Sequence, residues 1–374
     1  MLSHLAFKRG RRLDPWAYDG LMPVNAVRWS AQTLLLTLVL AGGAACRGQQ
    51  LPSAEVPTTG LHGTAPEQAV TLLPLGGPLQ SENAELSGLA WYGEHLVMLP
   101  QYPGWQSASA PCLYTVSKAE VLARLEQPVP EPLEPRCIRF DSGGLEKSIP
   151  GFEGYEAIGF IGEQAYLSVE TRSGTGKGFL LTGRIAPDLS VLKLEASPQA
   201  ALALPGQVSN AGFETLVMGE DRLLALYEAN GANVNKAPSV ESFDRSLTSS
   251  GKLTFPAIEH RITDATSMDA AGRFWVMNYS FPGTSKAYQP APDPLLARHG
   301  TGPTHARQPQ VERLIELQVQ PSGIVLTERP PLQLQLSSEA ARNWEGVVRL
   351  EDRGFLMVTD KFPRTLLGFV PFKP

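Results

Sequence analysis

The sequence predicts an all-β chain folded as a β-propeller of four-stranded blades, five by count. Three observations predict it: a strand–turn–strand unit that recurs five times, a surplus of turn formers, and almost no helical periodicity. Glycine (35) and proline (32) make up about 18% of the 374 residues, against roughly 12% in average usage. With 43% apolar and 18% charged residues the chain has enough apolar surface for a large core. Its net charge of −5 offers no overall basic field to hold phosphate backbones, so nucleic acid is excluded as a partner.

At the amino terminus, Thr33 to Ala45 is an apolar run of 13 residues, short of the roughly 20 that span a bilayer. Arg28 precedes it and small residues lead to Cys46, the layout of an export signal ending in a lipid-modified cysteine. Gly43 stands where such signals usually carry leucine. A start at Met22 would give an ordinary charged leader. Residues 1–46 therefore read as an export segment and 47–68 as a polar tether. The folded body is expected over 69–374, in the cell envelope and held to a membrane only through the lipid. Two cysteines remain, Cys112 and Cys137. They open strand-like runs (CLYTV, CIRF), and in an exported chain a disulfide is expected between them.

The five units follow in order: Ser87–Gln101, Glu156–Glu170, Glu214–Glu228, Asp264–Tyr279 and Glu345–Asp360, the last residue of each lying 14 or 15 positions after the first. In each, a polar residue opens a short apolar strand, a polar turn follows, and a second apolar strand ends in a polar residue. The first strands (LAWY, IGFI, LVM, VVRL) are apolar on consecutive positions, as expected where both faces are covered by neighbouring sheets. That argues against a β-sandwich; a β-helix is the other fold that repeated hairpins can make. Outer strands are visible as CLYTV and RCIRF, GFLLTGRI and VLKLEA, SVESFDRSL and LTFPAIEHRI, RLIELQV and GIVLTERP. The last unit shows only TLLGFVPF, so the amino-terminal AVTLLPL is expected to supply its missing strand and close the ring. A six-bladed ring would need a blade the sequence does not display. SKAEVLARLEQ is the one amphipathic helical stretch.

Innermost propeller strands run along the central channel, so the residues that open them face one mouth. This makes Ser87, Glu156, Glu214, Asp264 and Glu345 a candidate metal-ligating ring. Converging carboxylates repel unless protons or a cation neutralise them. An all-oxygen set suits Ca²⁺ first and Mg²⁺ second, not zinc. The alternative is an acid-lined channel whose side chains bond to neighbouring backbone. The second strands return to the same mouth, making Glu170, Glu228 and Asp360 candidates for activating water.

The openings ELSGLAWYGEHL, YEAIGFIGEQAYL, FETLVMGEDRLL and WEGVVRL resemble those of the five-bladed calcium-activated nucleotidases, or apyrases. The resemblance implies an axial Ca²⁺ held at Ser87, Glu156, Glu214 and Glu345. In the fourth unit that family has a hydroxyl, and here Asp264, Thr263 and Thr266 all compete for the place. SGLAW and WEGVV also look like the phytase-like and esterase-like propeller domains of exported bacterial proteins.

Loops after the second strands carry Arg172, Lys177, Lys236, Lys361 and Arg364, together with Lys286, candidates for holding phosphate oxygens. The glycine-rich TRSGTGKGF is not a P-loop, and neither GxSxG nor HExxH occurs. Trp105, Tyr155, Tyr279 and Trp344 stand near the mouth for stacking on a flat ligand or for blade packing. The proline-rich stretch Ser280–Gln310 reads as a lid or as disorder. The functional expectation is a monomeric, lipid-anchored phosphoester or nucleotide hydrolase acting on a small molecule. The competing one is a non-catalytic propeller binding a partner or cell-envelope ligand.

Overall fold

The computed structural model describes residues 65–373, apart from 173, 175, 206, 207, 209 and 210. The export segment, Met22 and Cys46 lie outside the described residues. The predicted hairpins are present as antiparallel pairs: Leu86–Tyr92 with His95–Pro100, Phe152–Ile161 with Gln164–Thr171, and Thr215–Met218 with Arg222–Leu226. Arg261–Ala265 with Arg273–Ser280 and Trp344–Leu350 with Gly354–Thr359 complete the set. Each hairpin continues outward into further strands, and the five inner strands pack on one another in cyclic order, the fifth against the first. The chain is a β-propeller.

Its apolar side chains divide accordingly. Five hydrophobic clusters lie one between each pair of neighbouring sheets, for example Leu86, Leu89, Val348 and Leu356 between the fifth and first. This explains the unalternating inner strands: Thr215–Met218 is buried at every position because both faces of its sheet are covered.

The closing strand is where the sequence places it. Thr71–Leu73 pairs with Leu367–Pro371 as the outermost strand of the fifth sheet. The folded body starts earlier than the expected residue 69. Glu67–Gln68 pairs in parallel with Leu332–Leu334 of the fourth blade. The buried Glu67 carboxylate accepts hydrogen bonds from the Thr304 amide (2.9 Å), the His305 amide (3.1 Å) and His305 Nδ1 (2.8 Å). The chain entering the ring is thus tied to two blades. Val191–Leu194 pairs antiparallel with Lys177–Ile185 of its own blade and in parallel with Arg136–Asp141 of the blade before, joining the rims of blades one and two.

Cys112 and Cys137 are disulfide-bonded between neighbouring strands of blade one, with Cα atoms 5.4 Å apart. The predicted helix is Lys118–Leu125, started by a capping box in which Ser117 and Glu120 bond reciprocally. Ser280–Gln310 is folded rather than structureless: it carries a 3-10 turn and two short helices, Ser285–Tyr288 and Pro294–His299. Among the described residues no helix is long and apolar enough to cross a membrane.

A buried acid cluster around Arg261

Four of the five inner strands carry register shifts near their start, which leave Ser87, Glu156, Thr263 and Glu345 unpaired, together with Glu153 in the second strand, which shifts twice. A bulge bends the strand and re-aims the extra side chain. In blade three Glu214 immediately precedes Thr215–Met218, with no shift. The bulge corrects the fourth position of the ring. Thr263 occupies it, and Asp264, one residue on, turns to the other face. There its carboxylate accepts a hydrogen bond from the Val347 amide of the next blade at 2.7 Å. Hydroxyls at the bulges are spent on the ring itself: Ser87 Oγ donates to the Tyr155 carbonyl (2.7 Å) and Thr263 Oγ1 to the Trp344 carbonyl (2.6 Å). Ser87 and Asp264 thus join blades.

Glu156, Glu214 and Glu345 do come together, and Glu170, Glu228 and Asp360 join them from the second strands. Through them runs a side chain that the acid pattern did not reveal. Arg261, 8% exposed, opens the fourth inner strand. Its Nε donates to Glu228 Oε2 (2.7 Å) and its Nη2 to Glu214 Oε2 (3.0 Å) and Glu345 Oε1 (3.3 Å). Nη1 reaches Asn343 Oδ1 (3.3 Å). One guanidinium therefore spans blades three, four and five. The available signal was an arginine three residues ahead of Asp264 in the one unit whose opening was ambiguous.

One arginine against six carboxylates leaves an acid excess. Burial, then the repulsion of Glu170, pushes Glu156 well above the usual carboxylate range, although Gln101 Nε2 donates to it at 2.8 Å. Glu170 is raised to about 8 by burial and by Glu228. Glu345 also rises to about 8, by burial and Asp360, while burial lifts Asp360 to about 6. Asn343 Nδ2 bridges that last pair, donating to Glu345 Oε1 (2.7 Å) and Asp360 Oδ2 (3.4 Å). Burial also holds the Tyr288 phenol well above its ordinary value, with Glu228 beside it, so the Ser280–Gln310 stretch reaches the cluster. One oxygen of Glu228 and the hydroxyl of Tyr227 are buried and make no hydrogen bond.

The expected cations are less concentrated. Lys361 pairs with Glu85 at 3.2 Å beside Asp360. Lys236 Nζ donates to the Ala232 carbonyl (2.9 Å), and Arg172, Lys177, Lys236 and Arg364 are exposed. Tyr155, Tyr279 and Trp344 are packing residues: all three are buried, and Trp344 Nε1 donates to Glu312. As placed, among the described residues, no three His, Cys, Asp or Glu side chains are drawn together as metal ligands. A cation would have to gather them.

No family model and no curated protein matches the chain. Solved structures of similar shape include the catalytic domain of a GH62 α-L-arabinofuranosidase from Coprinopsis cinerea (6% identity, TM-score 0.43, 82% of this chain and 97% of that one). Others are the soluble aldose sugar dehydrogenase from Escherichia coli (12%, 0.39, 81% and 99%) and the exo-β-1,3-galactanase from Phanerochaete chrysosporium (9%, 0.44, 80% and 63%). None of these three is a nucleotidase or a phytase. A likeness this distant says nothing about chemistry.

Proposed function

We propose that the chain is an exported propeller hydrolase in which Asp360 and Glu345 handle protons at the channel mouth. The observation that carries this reading is the Asn343 amide bridging Glu345 and Asp360, two carboxyls that burial and neighbouring acid charge hold above the ordinary carboxylate range. A pair raised in this way holds one proton between its two carboxyls near neutrality, one ionised as base and one protonated as acid, the division of labour that acid–base hydrolysis needs. Arg261, 3.3 Å from Glu345, stabilises that carboxyl when it gives up its proton. Glu228, tied to Arg261, is a charge partner rather than a base.

The proposed substrate is a small phosphoester. Lys361 at the mouth, with Arg172, Lys177, Lys236 and Arg364 on the surrounding loops, would attract its phosphate, but the acid excess opposes it. A hard cation, Ca²⁺ first and Mg²⁺ second, resolves that conflict. The donors are all oxygen, and Glu156 and Glu170, on the side away from Arg261's ion pairs, would hold it. When bound it would polarise the phosphoester and offset charge in the transition state. The disulfide supports export to an oxidising compartment, and Cys46 is the proposed lipid attachment point.

A second reading, a metal-stapled binding propeller without turnover, is favoured by Ser87, Thr263 and Asp264, whose side chains all join blades. Phosphate release from a nucleotide and phosphoester panel in Ca²⁺ and in EDTA, beside melting temperature, tests both. The hydrolase reading expects calcium-dependent release that falls about 100-fold or more in Asp360→Asn with no loss of melting temperature. Calcium stabilisation without release leaves the binding reading. Cys46→Ser should move the chain out of the membrane fraction.

A further inference from the structure

Arg261 stands where the ring's acid charge is densest. It makes ion pairs with Glu214, Glu228 and Glu345, from two blades other than its own, at 3.0, 2.7 and 3.3 Å. Its planar, permanently charged fork fits such multiple pairing, which a lysine would meet only as a point charge. Beside it the second oxygen of Glu228 (0% exposed) and the Tyr227 hydroxyl (1%) are buried with no hydrogen bond. Buried polar atoms are rarely left without a partner. The other half of the cluster, Glu156, Glu170 and Asp360, makes no ion pair with Arg261 within 4.0 Å.

We propose that Arg261 is a resident counter-ion that occupies the Glu214, Glu228 and Glu345 side of the channel and competes with divalent cations for it, so that this one residue sets how many the cluster takes up and how tightly. The inference rests on the cation reading above. A divalent ion approaching Glu228 or Glu345 meets the like charge of the guanidinium and must displace it from three carboxylates. Removing that charge leaves those carboxylates, with the unpartnered oxygens of Glu228 and Tyr227, as an all-oxygen set for a hard cation.

The test is calorimetric titration of CaCl₂ into the chelator-treated full-length chain and into Arg261→Met and Arg261→Lys, with melting temperature recorded in parallel. The expected result is that Arg261→Met takes up one more Ca²⁺ per chain, or binds it at least tenfold tighter. Arg261→Lys, which keeps the charge, should bind as the native chain does. Uptake by Arg261→Met alone supports the counter-ion role and removes the native cation site. Equal number and affinity in the native chain and Arg261→Met overturns the proposal while leaving the cation reading standing, and no uptake by either overturns both. Should Arg261→Met fail to fold in chelator, recovery in millimolar Ca²⁺ supports the exchange of one cation for another, and failure to recover overturns it.

Discussion

Glu170 offers the sharpest test of the buried acid cluster. Its carboxyl rises from an ordinary 4.5 to about 8, through burial and then the nearby Glu228. The folded chain holds that proton more tightly than the unfolded chain does. Below pH 4.5 both states are protonated and the group is neutral toward stability. Between 4.5 and 8 the unfolded state ionises while the folded state resists, so stability falls as pH rises, and above 8 the full cost is present. At about 1.4 kcal/mol per tenfold, forcing Glu170 to ionise costs roughly 5 kcal/mol. Glu170→Gln keeps the shape and removes the ionisation. In EDTA, melting from pH 4.5 to 9 should show the native chain losing stability toward pH 8 and the variant losing much less. The two should melt alike at the acid end. At pH 8 the variant should be higher by on the order of ten degrees, at about 2–4 °C per kcal/mol for a chain of this size or somewhat smaller. A variant no more stable than the native chain at pH 8, with the same pH slope, would refute the buried, charge-crowded cluster.

Three other outcomes are expected. Replacing Cys112 and Cys137 by serine removes a link across 25 residues of sequence, and the chain-entropy relation puts the loss at about 3.5 kcal/mol in denaturant titrations. A change within error would show that the bond does not constrain the unfolded chain. Leu73→Ala, in the closing strand and 2% exposed, should cost about 2–5 kcal/mol if ring closure is part of the cooperative fold; an unchanged urea midpoint would mean that the strand docks independently. Thr263→Val leaves the Trp344 carbonyl without its donor and should cost about 1–3 kcal/mol. Asp360→Asn melting no lower than the native chain does would separate that structural contact from the proposed chemistry.

Much of the fold was legible because it is local. Five hairpins, their polar turns and the shortage of strands in the last unit all follow from hydrophobic pattern over short windows, and the missing strand pointed directly to residues near Thr71–Leu73. The cysteines opened adjacent strands of one predicted sheet, so their pairing followed as well. The packing roles of Tyr155 and Trp344 were open, since a strand-end aromatic reads alike whether it faces ligand or core until its neighbours are placed.

The candidate site divides the same way. Glu156, Glu214 and Glu345 were found by repeat position, and Glu170, Glu228 and Asp360 by strand return, because these periodicities lie in the chain itself. Whether the fourth blade presents Thr263 or Asp264 depends on a one-residue bulge, and a single step of register exchanges the faces of a strand. That Arg261 lies among acids from two other blades, and that Tyr288 of a proline-rich stretch reaches them, depends on contacts between residues 33 to 84 positions apart. Sequence alone determined that acid would line this channel, since the repeat aligns it. Only the tertiary structure decided which charge balances it, because a counter-ion is chosen by distance in space and leaves no period in the chain.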